Sequence, residues 1–198
     1  MNEPKPAIII FARHPESGKV KTRLAASMGD EKALAVYQFL LAHTNLLVRH
    51  RKIPIFVFYA GDVVEGDLWS SEHFIKRSQK GNDLGERMAN AFLEVFDTGC
   101  RSAVIIGSDC HELTDAIIDD AFALLEKNDI VVGPAKDGGY YLLGMKAPFK
   151  NLFGNMQWSV ATVFEKTMQK IRDGQYTVDL LPVLTDVDTE EDINFSYQ

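Results

Sequence analysis

The chain has 198 residues, 46% hydrophobic and 25% charged, which is enough to bury a substantial core, and we expect one domain spanning residues 1–198. A formal net charge of −7 argues against a general nucleic-acid or anionic-membrane surface, so any local basic cluster is expected to bind a small anion. The sequence predicts a cytoplasmic protein for two reasons. Its two cysteines have neither metal-site nor CxxC spacing, and it has no apolar run of the roughly 18 residues that a membrane span needs.

Five short runs rich in Val, Ile, Phe or Tyr predict buried β-strands. They cover residues 7–12, 53–60, 103–107, 130–132 and 140–145. Helical patterns with N-cap signals lie between and after these runs. The four helices are expected to begin at Asp30, Asp83, Thr114 and Ser159. Alternation of strands and helices predicts an α/β fold with a largely parallel, doubly wound sheet and helices on both faces.

A basic loop, residues 11–24 (FARHPESGKVKTRL), follows the first predicted strand. Its four cations are Arg13, Lys19, Lys21 and Arg23. An even spread of the chain's 21 Lys and Arg would put about one in such a window. The loop is not a Walker A motif, because Arg13 replaces its first glycine and Val20 its Ser or Thr. Side-chain charge and the backbone N–H groups around Gly18 predict a di- or triphosphate site, and a solvated basic turn is the alternative.

Carboxylates follow three predicted strand ends. Asp109 closes AVIIGSD, Asp137 follows IVVGPAK, and Asp186 and Asp188 follow LLPVLT. Ligands bind at the carboxyl ends of parallel strands, and acids there can hold Mg²⁺ or Mn²⁺. The alternative is that these residues only cap loops or helices.

Two adjacent glycines, Gly138 and Gly139, precede the fifth predicted strand. Glycine allows a positive φ or a close backbone approach, which suits a substrate against the main chain, although a tight turn explains the pair equally well. Asp137 beside them favours the functional interpretation, because a carboxylate there can bind sugar hydroxyls or assist a proton transfer.

Six segments, spanning residue 11 to about residue 193, carry a family resemblance in their order along the chain. They are FARHPESGKVKTRL, GNDLGERM, GSDCHELT, GPAKDGGYYLLG, the pair Trp158-Ser159, and DVDTEEDI. With them the chain resembles the radical-SAM/selenodomain-associated transferases of the nucleotide-diphospho-sugar transferase (GT-A type) superfamily. The resemblance implies a GT-A-like three-layer α/β/α sandwich around a mostly parallel sheet, with nucleotide in the N-terminal half and acceptor in the C-terminal half.

The resemblance also implies roles for individual residues. Phosphate and nucleotide binding would fall to Arg13, Gly18, Lys19, Lys21, Arg23, Asp83 and Arg87. The acceptor or sugar side would hold Asp137, Gly138 and Gly139, and the metal ligands would be Asp109 with Asp186 or Asp188. The candidate catalytic residues are Lys21 and Asp137. His111 and Val160 depart from the family pattern, which usually has Pro and Ser or Thr there.

The first functional expectation, which the family resemblance implies, is a glycosyltransferase that takes a nucleotide-diphospho-sugar, with Mg²⁺ or Mn²⁺ neutralising the departing diphosphate. The alternative is a guanylyltransferase-like nucleotidyltransferase that joins a nucleoside monophosphate to a phosphorylated acceptor and releases pyrophosphate. Four cations exceed the need of a diphosphate, and that reaction requires no general base. A third reading is a nucleotide-binding module without turnover. The expected partners are a nucleotide or nucleotide-sugar and a small-molecule acceptor, without nucleic acid or a membrane span.

Overall fold

The computed structural model describes residues 5–197, and this part of the chain forms seven strands and five α-helices. The strands are β1 (Pro6–Ala12), β2 (Ile55–Tyr59), β3 (Ile75–Ser78), β4 (Ser102–Ile106), β5 (Ile130–Pro134), β6 (Tyr140–Met145) and β7 (Val178–Leu180). The helices are α1 (Thr22–Met28), α2 (Asp30–Val48), α3 (Leu84–Asp97), α4 (Asp115–Leu125) and α5 (Val163–Asp173). Two 3₁₀ turns occupy Lys150–Leu152 and Glu190–Asp192.

The seven strands form one mixed sheet in the order β3-β2-β1-β4-β6-β5-β7. Only β6 runs antiparallel to its neighbours, β4 and β5, within this sheet. The central strand β1 pairs in parallel on both sides, with Ile8 opposite Ile55 of β2 and Val104 of β4. The prediction of an α/β fold with a largely parallel sheet is therefore confirmed.

Alternate residues of β1 face two different helical layers, because successive side chains of a strand point to opposite sides of the sheet. Ile8 and Ile10 pack in a cluster with α2 and α4, whereas Ala7 and Ile9 pack in a second cluster with α3 and α5. Full burial of each isoleucine contributes roughly 1.5–3 kcal/mol to folding. The result is the expected three-layer α/β/α sandwich.

The five predicted strands are all present, and each observed end lies within two residues of its prediction. Three further elements were not predicted: the short helix α1 and the edge strands β3 and β7. The LLPVLT segment is not a regular strand. It makes one isolated parallel bridge, from Leu184 to Ala135, so the acids after it belong to a loop beside the sheet.

Two of the four predicted helix caps are confirmed. The side chain of Asp83 accepts a hydrogen bond from the amide of Glu86, and Thr114 caps α4 in the same way. Asp30 is instead the first residue of α2, because Gly29 takes the cap position with a positive φ. The predicted start at Ser159 is wrong: Ser159 has a φ of 60°, and α5 begins only after Thr162. Of the described helices, none combines the length and apolar character that crossing a membrane requires.

Candidate active site

A cleft of about 850 Å³ opens at the carboxyl ends of the central strands, where loops from both halves of the chain meet. Ten of the residues singled out from the sequence line it: Arg13, Lys21, Arg23, Asp83, Arg87, Asp109, Asp137, Gly139, Asp186 and Asp188. The remaining three, Gly18, Lys19 and Gly138, do not line it. The two candidate catalytic residues thus share one cavity with the three candidate metal ligands.

Lys21 lies at the floor of this cleft, between acidic side chains from two distant segments. Its Nζ is 2.7 Å from Oδ2 of Asp109 and 3.5 Å from Oδ1 of Asp188, and it donates a 2.7 Å hydrogen bond to the carbonyl of Val187. Only 5% of the side chain is exposed. Burial alone would lower the pKa of Lys21, but the charges of Asp109, Asp188 and Asp186 raise it above its usual value. The lysine is therefore a fixed positive charge.

The backbone conformation of Lys21 directs this side chain inward. Lys21 has a φ of 47° and a ψ of 47°, in the left-handed region that a non-glycine residue enters at a cost of about 1 kcal/mol or more. Packing on both sides holds it there. Val20 is buried in the core, and Leu24 packs in a small cluster with α2 and Val187. The same cluster brings the acidic loop around residues 186–188 against the basic loop.

The backbone of Arg13 is fixed by a tyrosine of α2. The hydroxyl of Tyr37 accepts a 2.9 Å hydrogen bond from the Arg13 amide and donates one of 3.2 Å to the Arg13 carbonyl. Burial raises the pKa of Tyr37, and the neighbouring hydroxyl of Ser108 in the loop after β4 partly opposes this. Tyr37 therefore ties the basic loop to α2, beside the loop that carries Asp109. Tyr37 was not among the residues singled out from the sequence, although a hydroxyl on a buried helix face requires a partner.

The other parts of the basic loop lie nearer to solvent. Arg23, 68% exposed, places its Nη1 atom 3.0 Å from Oδ2 of Asp188. Lys19 is 71% exposed and its ammonium forms a surface pair with Glu16 at 2.6 Å. Gly18 has a φ of 73° and turns the chain beside the carboxylate of Asp30. The cleft thus receives Arg13, Lys21 and Arg23 from this loop, and Lys19 stays at its outer edge.

The acids of the cleft repel one another. Burial, followed by the charges of Asp109 and Asp137, raises the pKa of Asp186 to about 7, although Lys21 opposes the shift. Asp137 directs one carboxylate oxygen to the amide of Gly139, at 2.8 Å. Four carboxylates therefore share this floor with a single buried ammonium group.

A divalent cation suits the chemistry of these acids but has no preformed cage. Within residues 5–197, no three His, Cys, Asp or Glu side chains are grouped closely enough to hold a metal ion. The physical reason is visible at the floor, where the ammonium of Lys21 lies between Asp109 and Asp188. Carboxylate oxygens are the ligands that Mg²⁺ and Mn²⁺ prefer, and Asp109, Asp186 and Asp188 supply them at this floor.

The GNDLGERM segment forms the entry to α3 at another wall of the cleft. Asp83 uses one oxygen as the helix cap, and Nε of Arg87 donates a 3.1 Å hydrogen bond to the carbonyl of Gly81. A side chain at Gly81 would lie 2.8 Å from the Arg87 amide, which explains the glycine. Both Asp83 and Arg87 remain on the cleft surface.

A further wall, which contacts α3 through Trp158, comes from the GPAKDGGYYLLG segment and the turn before α5. Gly138 has a φ of 88°, and a Cβ there would lie 2.0 Å from the carbonyl oxygen of Ala161, so its role in this structure is to let the turn approach. Trp158 packs its indole on Gly85 of α3 and also lines the cleft. The aromatic and aliphatic residues of this wall are Tyr140, Tyr141, Trp158, Val160, Ala161 and Val163.

Comparison with known proteins adds a family and a set of shared folds. A family model described as "Uncharacterized protein conserved in bacteria (DUF2064)" matches residues 43–160. No protein with curated annotation matches the chain. A crystal structure of a protein from Desulfovibrio desulfuricans G20, provisionally named a nucleotide-diphospho-sugar transferase, matches this chain with a TM-score of 0.87. The two sequences are 30% identical, and the match covers 98% of this chain and 90% of that chain.

More distant structures share the fold alone. One is CMP:2-keto-3-deoxy-manno-octonic acid synthetase complexed with CTP, 9% identical, with a TM-score of 0.57 and coverage of 94% of both chains. Another is Rv0371C of Mycobacterium tuberculosis H37Rv in complex with manganese, 13% identical, with a TM-score of 0.53 and coverage of 96% of this chain and 95% of that chain.

Proposed function

The chain belongs to the DUF2064 family, and from the geometry of its cleft we propose that it is a glycosyltransferase that takes its sugar from a nucleotide-diphospho-sugar. Its fold and its relative from Desulfovibrio desulfuricans make it an enzyme of the nucleotide-using transferase type. The narrower assignment to the radical-SAM/selenodomain-associated transferases, and a single domain over residues 1–198, are parts of the same proposal.

The observation that carries the proposal is the convergence of the basic loop and the distant acids. The Nζ atom of Lys21 is 2.7 Å from Asp109, and Arg23 reaches Asp188 from the same loop. A cavity of about 850 Å³ above them is large enough for a nucleotide-sugar. We assign Arg13, Lys21 and Arg23 to the diphosphate.

The neighbouring residues receive the remaining donor-side roles. Asp83 and Arg87 border the nucleotide at the entry to α3. Gly18 shapes the turn of the basic loop, and Lys19 draws anions toward the entrance from outside the cleft.

A divalent cation, Mg²⁺ or Mn²⁺, completes the donor site in this proposal. Asp109 with Asp186 or Asp188 would hold it, and the bound ion would neutralise the charge that grows on the departing diphosphate. Lys21 supplies a second positive charge on the same side of the leaving group. Its catalytic role is to stabilise that negative charge.

The acceptor wall favours glycosyl transfer to a neutral hydroxyl. Within the described chain, the cleft-lining residues between positions 137 and 163 include Asp137 but no Lys or Arg. A phosphorylated acceptor would meet the carboxylate of Asp137 there and be repelled. A sugar or alcohol hydroxyl would instead donate a hydrogen bond to Asp137, which is placed to take its proton beside Gly139. Gly138 supports this wall from behind.

Nucleotidyl transfer is the second candidate, supported by the number of cations on the donor side. Arg13, Lys21, Arg23 and Arg87 all line the cleft, and four positive charges exceed what a diphosphate requires. This reaction predicts tighter binding of nucleoside triphosphates than of nucleotide-sugars.

Calorimetry with a panel of both ligand classes, with and without Mn²⁺, tests the proposal. We expect nucleotide-sugars to bind more tightly with Mn²⁺, and Asp109→Asn to remove this metal-dependent gain. Asp120→Asn, at an exposed residue of α4, is the matched control and should behave as the wild type. Preference for triphosphates would replace the proposal with the second candidate, and absence of nucleotide binding would refute both.

A further inference from the structure

The ammonium group of Lys21 is held by three protein oxygen atoms. It donates a hydrogen bond to the Val187 carbonyl and forms ion pairs with Asp109, at 2.7 Å, and with Asp188, at 3.5 Å. Only 5% of the side chain is exposed. The basic residue placed deepest in the proposed phosphate site is thus already partnered by the protein itself.

The same contacts occupy carboxylates that are assigned to a divalent ion, Asp109 in either proposed pair and Asp188 in one of them. A backbone hydrogen bond from Val187 to Asp109 joins the two segments, and the ammonium of Lys21 lies between the carboxylates of Asp109 and Asp188. A metal ion that shared oxygen atoms of both residues would compete with Lys21 for them. Arg23 also pairs with Asp188, but from the exposed side.

We infer that the Lys21 ammonium serves as the resident cation of the nucleotide-free protein, so that divalent metal binds weakly until a nucleotide diphosphate gives Lys21 a new partner. This inference rests on the proposed function, because it assumes a diphosphate in the cleft. Displacement of Lys21 from Asp109 and Asp188 frees their oxygen atoms and at the same moment presents the ammonium to phosphate. Binding of the donor should therefore increase the affinity for the metal ion, and binding of the metal ion should increase the affinity for the donor by the same factor.

Titration of Mn²⁺ into the nucleotide-free protein tests the competition directly. Lys21→Met removes the competing cation, and we expect it to bind Mn²⁺ at least tenfold more tightly than the wild type. Arg23→Met is the matched control: it removes the same unit charge and a contact to the same Asp188, but from a side chain that is 68% exposed. Its effect should stay below about threefold, because an exposed charge is screened by water and salt.

A measurement on the wild-type protein covers the case in which Lys21→Met does not fold. The measured quantity is the rate at which each lysine amine is acetylated, followed by mass spectrometry of peptides. In metal-free protein this rate should be low at Lys21, because its side chain is only 5% exposed and forms an ion pair with Asp109. Saturating Mn²⁺ should raise that rate at least fivefold. Lys19, which is 71% exposed, is the internal control, and its rate should not change with Mn²⁺.

Two results would overturn the inference. One is a Lys21→Met protein that binds Mn²⁺ no more tightly than the wild type, and the other is a Lys21 acetylation rate that Mn²⁺ leaves unchanged. Both measurements are made without nucleotide, so their failure is distinct from that of the proposed function. If nucleotide-sugars bind but Mn²⁺ does not compete with Lys21, the inference about Lys21 is wrong. The glycosyltransferase proposal would then still stand.

Discussion

The substitution Tyr37→Phe removes one hydroxyl group and leaves the charges of the donor site unchanged. It therefore tests whether the anchoring of the Arg13 backbone contributes to donor binding. The hydroxyl accepts a hydrogen bond from the Arg13 amide and donates one to the Arg13 carbonyl, and it lies beside Ser108 after β4. Phenylalanine keeps the buried ring and every formal charge of the cleft. Only the tie between the basic loop and α2 is lost.

The structure sets the expected magnitude. Two hydrogen bonds disappear and a partly buried amide loses its partner, so the free energy of unfolding should fall by about 1–3 kcal/mol. Arg13 then has to be ordered by the ligand, and the loss of one oriented charge-assisted contact should weaken nucleotide-sugar binding by roughly 3–10-fold.

Urea unfolding and calorimetry measure the two effects on the same protein. Tyr141→Phe is the matched control, because it removes a hydroxyl that donates a single 3.0 Å hydrogen bond to the carbonyl of Pro182 on the acceptor side. We expect it to cost about 1 kcal/mol of stability and to leave donor binding unchanged. If both variants bind the donor as tightly as the wild type, the role of Tyr37 in positioning Arg13 is refuted.

Three further outcomes follow from contacts elsewhere in the molecule. Burial alone would raise the pKa of Asp67, but hydrogen bonds from Lys76, Tyr59 and the Trp69 amide lower it, so this network stabilises the fold above about pH 4 and is lost in acid. Asp67→Asn should therefore lower the free energy of unfolding by about 1–3 kcal/mol at pH 7, and the difference from wild type should shrink as the pH falls below about 4. Gly138→Ala should lower the melting temperature far more than Gly99→Ala, since both have a φ near 90° but only Gly138 has a backbone atom in the way. Burial raises the pKa of the Cys110 thiol to about 12, so a thiol reagent at pH 8 should modify only Cys100 in the native protein, and modification of both would contradict this.

The fold was predictable from the sequence wherever a strand is buried on both faces. Each of β2, β4 and β5 has five residues, all of them buried, and each contains an uninterrupted apolar run of at least three residues. The edge strands β3 and β7 carry no such signal. β3 reads IKRS, and its inward residue is Lys76, whose ammonium is satisfied by Asp67 and Glu65 in the loop before it.

The site was predictable to the extent that parallel strands end at the same edge. This rule brought Arg13, Asp109 and Asp137 to one cleft. It could not separate Lys19 from Lys21, because the left-handed backbone at Lys21 turns its side chain inward while Lys19 remains at the surface. The contribution of Tyr37 depends on a contact 24 positions away along the chain, which no local pattern reveals.

The hydrogen bond from Lys21 to Val187 joins positions 166 residues apart, so the floor of the cleft spans almost the whole length of the polypeptide. During synthesis Lys21 can pair with Asp109 before the segment that carries Val187 and Asp188 has been made. The floor of the cleft is therefore completed in two stages, and its second stage depends on a contact of very high sequence separation, which forms slowly compared with local structure.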